Sequence, residues 1–268
     1  SGMKGVVSVD RSDNELSGQI GLTNPRLFDS EYSLGGTLYA NNYDWNNYDE
    51  KSYGLNVVVG RKLTRNLSAS LGYIIEQSRI SGLSDVLKTV GYKDGKSLKS
   101  SLIPSITYNS TDDYYLPRTG IIASTSLEFA GVGGDEKFLK SRTNFNWYQG
   151  IREWVDYVLI FRFKSSFGKI WDRGWVPINE RLYLGGIRNL RGFESRTVSP
   201  NVKVSSGSWY ETGGDMSFNS SAELSFPLIE RVKMRGVLFF DYGVIHGKIA
   251  NVTAPGIVDH IDGRISRY

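Results

Sequence analysis

Apolar and polar residues alternate with a period of two along most of the chain. In residues 216–226 the apolar row consists of Met216, Phe218, Ala222, Leu224 and Phe226. The intervening polar row consists of Ser217, Asn219, Ser221, Glu223 and Ser225. Comparable alternation occurs in 16–23, 32–40, 53–59, 67–75, 102–109, 121–129, 157–167 and 232–243. Because successive side chains of a β-strand point to opposite faces, the pattern predicts an all-β protein whose strands have two chemically distinct faces.

These two faces fit either a soluble β-protein or a transmembrane barrel. In a soluble sandwich the apolar row points into the core, whereas in a transmembrane barrel it faces lipid and the polar row lines the lumen. Strands of about ten residues suit a tilted crossing of the bilayer, and polar rows of mostly Gly, Ser, Asn and Thr suit a crowded, wet interior. Tyrosines near the strand ends are typical of an interfacial girdle; they are Tyr32, Tyr53, Tyr73, Tyr108, Tyr157 and Tyr242. The pattern therefore favours an antiparallel transmembrane β-barrel.

The connections between the predicted strands alternate in length, as they do in outer-membrane barrels. Short turns are predicted near 25–30, 62–65, 112–118, 150–154 and 227–231. Longer connections are predicted near 42–50, 78–97, 131–136 and 168–216, and SDVLKTV in the second of these is expected to form a short helix. We count about eleven strands, from 4–11 onward, and a twelfth that begins at Arg264. Since bacterial barrels close with an even number of strands, residues 1–268 are interpreted as a single, incomplete barrel domain.

Composition excludes several classes of site. The chain of 268 residues has no cysteine, which rules out disulfides, iron–sulfur clusters and thiol catalysis. Its two histidines, His246 and His260, are too few for a multi-histidine metal site. A net charge of +4, scattered along the chain, provides no basic patch for nucleic acid. We therefore predict no metal, no cofactor and no nucleic-acid partner.

The longest predicted loop carries a glycine-rich motif with an arginine. In NERLYLGGIRNLRGFESRTVSP, residues 179–200, Gly192 allows a sharp turn of the backbone and leaves Arg191 at its tip. The polar rows of the next two strands supply the carboxylates of Glu223 and Asp241. If the loop folds back into the lumen, Arg191 can pair with either acid or both, and the charge-assisted bonds would hold the loop in place. A solvated loop charge is the simpler alternative for Arg191.

Four segments together resemble a known family. The segment 185–193 resembles the GG…(V/L)RGF loop signature of the outer-membrane-protein assembly factor superfamily, and its matching positions are Gly185, Gly186, Leu190, Arg191, Gly192 and Phe193. The segment 239–247 is similar to the superfamily's F-x-D-x-G strand motif, at Phe239, Asp241 and Gly243. LTNPRLFDSEYSLGG at 22–36 and SYGLNVVVGRKL at 52–63 resemble the BamA family of this superfamily. Leu190 stands where valine is common in the family.

The resemblance implies a sixteen-stranded barrel, of which this chain matches the third to thirteenth strands and the start of the fourteenth. The first two strands, the last strands and the periplasmic POTRA domains would lie outside it. The resemblance also implies that Arg191 locks the loop to Asp241 and Glu223. The implied function is that of the central component of the assembly machinery in the bacterial outer membrane, which folds and inserts outer-membrane proteins. Its partners would be unfolded outer-membrane proteins, assembly-machinery lipoproteins and outer-membrane lipid.

Three other functions are compatible with a barrel. A polypeptide secretion transporter of the same superfamily is the first, although the segment 22–36 argues against it. A barrel lipase or protease would need a nucleophile and a histidine at the wall or rim, where only His246 is placed by the sequence. A passive porin would not need the loop motif. We interpret His246 as an ordinary rim residue and predict that the protein is not an enzyme.

Overall fold

The computed structural model describes residues 2–12, 14–151, 159–232, 234–247 and 257–261. Its strands are, in chain order, β1 (Lys4–Arg11), β2 (Glu15–Asn24), β3 (Tyr32–Trp45), β4 (Tyr48–Lys62), β5 (Leu67–Ser81), β6 (Gly95–Asn109), β7 (Gly120–Gly134), β8 (Lys137–Ile151), β9 (Leu159–Trp175), β10 (Asn201–Val204), β11 (Trp209–Glu211), β12 (Met216–Ile229), β13 (Met234–His246) and β14 (Ile257–Ile261). Eleven of them form one antiparallel sheet in the order β1 to β9, then β12 and β13. The short strands β10, β11 and β14 form a separate sheet with β10 in the middle. The predicted all-β antiparallel class is confirmed.

Helical segments in the described residues are short. Helix α1 (Asp85–Val90) begins after Ser84, whose Oγ accepts a hydrogen bond from the amide of Leu87. This N-cap explains why the predicted helix forms where it does. Single 3-10 turns lie at Leu27–Asp29, Ile178–Glu180 and Glu230–Val232. No helix in the described ranges is long and apolar enough to cross a membrane.

The strands are longer than the segments that the pattern predicts. Strands β4 to β8 have 15 residues each and β9 has 17. The predicted long connections near 42–50 and 131–136 are therefore wrong, because the strands there continue into tight hairpin turns. The loop predicted at 168–216 spans 176–215, since β9 continues through those first residues. The alternation does not mark these strand ends because they lie beyond the lipid-facing belt, where the outer face is no longer uniformly apolar. The strand predicted at Arg264 lies outside the described residues.

The apolar rows point outward and the polar rows point inward. On the outer face, Leu38, Leu238 and Phe240 are 60%, 64% and 70% exposed. On β12, Ser221 and Glu223 are buried on the opposite face. Exposed apolar side chains recur from strand to strand on the outer face, at Val7, Ile20, Leu22, Tyr53, Leu71, Ile106 and Leu127. Apolar surface of this extent suits hydrocarbon rather than water, and we call the polar side the inner face.

The connection 176–215, called the long loop below, folds back over the inner face. One buried apolar cluster joins its residues to the wall; the members are Val176, Leu182, Leu184, Ala130, Phe138, Ile170 and Ile245. A second cluster joins Ile178 of the loop to Tyr48, Ile80, Leu83 and Leu87. Each buried apolar side chain contributes roughly 25 cal/mol per Å² of surface removed from water. This packing brings the glycine-rich motif against β12 and β13.

Candidate functional site

The glycine-rich motif forms a compact turn within the long loop. The amide of Gly186 donates a hydrogen bond to the carbonyl of Phe193 at 2.9 Å, which closes the turn. Gly185, Gly186 and Gly192 have positive φ angles of 107°, 96° and 89°. Residues with a Cβ disfavour this region of conformational space, so the turn needs glycine at these positions. The turn directs Arg191 at the inner face of the wall.

Arg191 contacts both of the predicted acids. Its Nε and Nη2 donate hydrogen bonds to Oδ2 and Oδ1 of Asp241 at 2.7 and 2.6 Å, so the ion pair is bidentate. Its backbone amide donates to the same carboxylate at 3.0 Å. Nη2 also lies 2.9 Å from Oε1 of Glu223 and 2.7 Å from Oγ of Ser221. The hydrogen bonds to Asp241 raise the pKa of Arg191 above its ordinary value, so the guanidinium remains charged.

An aromatic ring completes the environment of the guanidinium. The central carbon of the Arg191 guanidinium lies 3.6 Å from the ring centroid of Phe239, which is a cation–π contact. The register of β12 with β13 places Ser221 opposite Asp241 and Glu223 opposite Phe239. Since residues two apart on a strand share a face, all four wall residues point at the guanidinium. We call these five residues the arginine cluster.

The two acids of the arginine cluster differ in their other partners. Nη1 of Arg162 lies 3.4 Å from Oε2 of Glu223, and Nζ of Lys164 lies 3.6 Å from Oε1, both from strand β9. Among the ion pairs of the described residues, Asp241 pairs with Arg191 alone. The Asp241 side chain is also the more buried of the two acids, at 6% exposure against 11% for Glu223. Asp241 therefore depends on Arg191 more strongly than Glu223 does.

The strand motif of β13 contacts the loop in two ways: Asp241 forms the ion pair with Arg191, and Gly243 leaves space for loop side chains. A Cβ at Gly243 would lie 3.1 Å from Cδ1 of Leu184 and 3.3 Å from Cδ2 of Leu190. Glycine at this position lets both leucines pack against the strand, and Leu190 is buried. Every second residue of the motif thus faces the loop: Phe239 and Asp241 face the guanidinium, and Gly243 faces the two leucines.

The remaining predicted residues have simpler surroundings. Phe193 is half-buried beside the turn that its carbonyl closes. His246 ends β13, and its carbonyl accepts a hydrogen bond from the amide of Asp215 at 2.9 Å. In the described part of the chain, no three His, Asp or Glu side chains are grouped to hold a metal ion.

The sequence gives no signal for a second arginine contact in the long loop. Arg196 has a φ of 64°, a conformation that costs about 1–3 kcal/mol for a residue with a side chain. Its guanidinium carbon lies 3.8 Å from the ring centroid of Tyr183 and 4.3 Å from that of Trp45, and Nη2 donates to Oη of Tyr48. These contacts offset the backbone strain. Tyr183 is far along the chain from Trp45 and Tyr48, so only folding brings its ring to the other two.

Phe239→Leu is expected to weaken the hold on Arg191 while both acids stay in place. Leucine retains much of the apolar volume but has no ring face, so the loss is the cation–π contribution, about 1 kcal/mol at a half-exposed site. Limited proteolysis of the long loop should then become about fivefold faster. Phe240→Leu, one residue along on the outer face, is the matched control and should leave cleavage unchanged. Equal cleavage rates in the two variants would contradict this role of the ring.

The fold and the arginine cluster together define a membrane barrel whose long loop is fastened inside. The Omp85 superfamily domain matches residues 1–255, and the chain belongs to the Omp85 superfamily. It superposes on the crystal structure of BamA from Haemophilus ducreyi lacking POTRA domains 1-3, with a TM-score of 0.77 and 20% identity, over 92% of this chain and 52% of that one. The predicted β-barrel fold and outer-membrane location are confirmed.

Curated relatives extend the similarity along most of the chain. The outer membrane protein assembly factor BamA of Nitratidesulfovibrio vulgaris is 27% identical over 225 residues, which cover 83% of this chain and 28% of that protein. BamA of Neisseria meningitidis serogroup B is 24% identical over 269 residues, which cover 91% of this chain and 33% of that protein. The chain thus spans about a third or less of the length of these relatives. The resemblance to the BamA family that the motifs indicate is confirmed.

Proposed function

We propose that this chain is the barrel part of an assembly factor that folds outer-membrane proteins and inserts them into the bilayer. The observation that supports this function best is the bidentate ion pair of Arg191 with Asp241, at 2.6 and 2.7 Å, which holds a loop inside the barrel. A passive porin would not need the glycine-rich motif that carries Arg191. Membership of the Omp85 superfamily and similarity to two assembly factors support the same function.

The arginine cluster would act by keeping the long loop and one part of the wall as a rigid unit. Glu223 receives contacts from β9 and from the loop, and its strand is paired with β13. Three adjacent strands and the loop are therefore tied together at one point. With this side rigid, opening is confined to another seam of the barrel. There, the backbone of an incoming strand can pair with exposed groups of the barrel edge by β-augmentation, a process that needs no nucleotide and no enzymatic chemistry.

The proposed partners are unfolded outer-membrane proteins, lipoproteins of the assembly machinery and outer-membrane lipid. Contact with lipid is supported by the exposed apolar rows of the outer face, such as Leu38 and Phe240. The lipoproteins are inferred from the family resemblance. We also infer that residues 1–268 belong to a single barrel domain.

Client folding by the gene product that carries this sequence tests the proposal. The protein is reconstituted in vesicles of outer-membrane phospholipid, and an unfolded outer-membrane protein is added. Heat-modifiable migration in gels then follows the folded fraction of the client. We expect folding to be at least about tenfold faster than in vesicles that contain a porin instead. Equal rates in the two kinds of vesicle would refute the assembly function.

The same vesicles discriminate the alternative functions. Passage of an added polypeptide into the vesicle interior, without insertion into the bilayer, would indicate a secretion transporter. Hydrolysis of an ester or peptide substrate that is lost in His246→Ala would indicate a barrel enzyme.

A further inference from the structure

A second buried ionic contact lies at the root of the long loop. Glu180 ends the 3-10 turn that follows β9, and its Oε1 accepts a hydrogen bond from Nζ of Lys99 at 2.5 Å. Its Oε2 accepts a hydrogen bond from Nζ of Lys140. The exposed fractions of the Glu180, Lys99 and Lys140 side chains are 10%, 9% and 1%. One carboxylate of the loop therefore bridges the wall strands β6 and β8.

We propose that Glu180 is a positioning residue that fixes the root of the long loop to the wall through Lys99 and Lys140, independently of the arginine cluster. Glu180 is tied to β6 and β8, whereas Arg191 is tied to β12 and β13. The two anchors hold the loop to different parts of the wall. This inference goes beyond the proposed function, because loop retention is measured without any client protein.

Lys140 of the wall is neutralised by the carboxylate of Glu180 in the loop. Among the ion pairs of the described residues, Lys140 pairs with Glu180 alone, and its side chain is almost fully buried. Lys99 also lies 3.2 Å from Oε1 of Glu76 and 3.8 Å from Oε1 of Glu128. A buried ammonium group without a counter-charge is strongly unfavourable. If the carboxylate of Glu180 were removed while the loop stayed seated, the Lys140 ammonium would remain buried with only the longer-range attraction of Glu128 on the paired strand, so the wall favours a seated loop that carries this carboxylate.

A neighbouring buried acid, Glu136, provides a comparison for Glu180. Burial by itself raises the pKa of Glu180, but the ammonium groups of Lys140 and Lys99 outweigh it and hold the pKa below its ordinary range. Glu136, in the turn between β7 and β8, is also buried. Its Oε1 accepts a hydrogen bond from Ser97, and burial and the charge of Glu180 raise the pKa of Glu136 to about 7. Glu136 is a matched control for Glu180 because both are buried and only Glu180 belongs to the loop.

Thiol labelling at the root of the loop tests the proposal, since the chain has no cysteine of its own. Ile178 is 2% exposed, so Ile178→Cys introduces a single protected thiol beside Glu180. In the intact barrel protein in lipid vesicles, Glu180→Gln should increase the rate of maleimide labelling at position 178 at least about tenfold. Glu136→Gln should leave the rate within about twofold of the parent. Labelling in Glu180→Gln that is as slow as in Glu136→Gln would overturn the proposal.

A second reporter tests whether the two anchors are independent. Leu190 is 5% exposed beside the arginine cluster, and Leu190→Cys places a thiol there. Arg191→Ala should accelerate labelling at position 190 and leave position 178 protected. Glu180→Gln should have the larger effect at position 178. Release of both positions together by either variant would overturn the independence of the anchors.

A double variant keeps the test decisive if Glu180→Gln does not fold. That substitution leaves Lys140 buried without its counter-charge, whereas Lys140→Met with Glu180→Leu replaces both charges by apolar volume. Heat-modifiable migration establishes that the barrel has formed. Fast labelling at position 178 in the double variant supports the ionic anchor. Labelling as slow as in the parent would mean that apolar packing alone holds the root, and would overturn the proposal.

Discussion

Arg191→Ala is expected to release the tip of the long loop from the wall and to impair the assembly of outer-membrane proteins. Alanine leaves Asp241, which is 6% exposed, without its cation, whereas Glu223 keeps Arg162 and Lys164. An uncompensated buried charge of this kind costs about 3 kcal/mol, the lower end of the usual range because one acid retains partners. Heat-modifiable migration of the barrel and growth of cells that depend on the protein are the measurements.

Two further variants separate the ion pair from the loop residue itself. Arg188→Ala removes an exposed arginine of the same loop and should leave migration and growth unchanged. Arg191→Asp combined with Asp241→Arg rebuilds an opposite-charge pair and should restore part of the loss. If Arg191→Ala and Asp241→Arg alone both leave migration and growth at the parent level, the ion pair between Arg191 and Asp241 does not hold the loop in the way proposed.

Gly185→Ala is expected to disrupt the turn that presents Arg191. A Cβ at position 185 would lie 2.1 Å from the carbonyl oxygen of Glu194, and φ is already 107°. An alanine in this region costs about 1–2 kcal/mol before any clash. Because the overlap is with a backbone atom, the chain must move. We expect the free energy of unfolding to fall by more than about 3 kcal/mol. Protease cleavage within the long loop of the folded barrel is the measurement.

Gly192→Ala is the matched control for this prediction. Its φ of 89° is also positive, but nothing lies within 4 Å of an added Cβ. In this variant the free energy of unfolding should fall only by the cost of the positive φ angle, about 1–2 kcal/mol. Its loop should therefore resist protease better than that of Gly185→Ala. Identical cleavage of the two variants would mean that crowding against Glu194 does not hold the turn together.

The sequence predicts the strands well where one face meets lipid and poorly at their ends. Leu38 and Phe240 lie on apolar rows that the period of two assigns to the outer face, and both are exposed there. The hairpin of β3 and β4 continues to Trp45 and Tyr48, in a region expected to be a loop. Hydrogen bonding between backbones extends a hairpin regardless of side-chain polarity, so hydrophobic patterning cannot locate where it stops.

The candidate site was predictable in part. Glu223 and Asp241 are acids on the strand rows predicted to face the lumen, and a charged loop motif precedes them, so their pairing with Arg191 can be proposed from the sequence. The hydroxyl of Ser221 is one among many in its row, and its role depends on lying opposite Asp241. Glu180 precedes the motif without any feature that separates it from a solvated acid.

The amino-acid order by itself determined which face of each strand meets lipid, because side-chain direction along a strand depends only on odd or even position. It also supplied the glycines of the turn, the arginine of the loop and the acids of the wall. Only the tertiary structure decided which charges meet. A contact such as that of Lys140 with Glu180 requires a particular strand register and a particular path of the loop, because an ion pair forms only when the two charged groups lie within about 4 Å of each other.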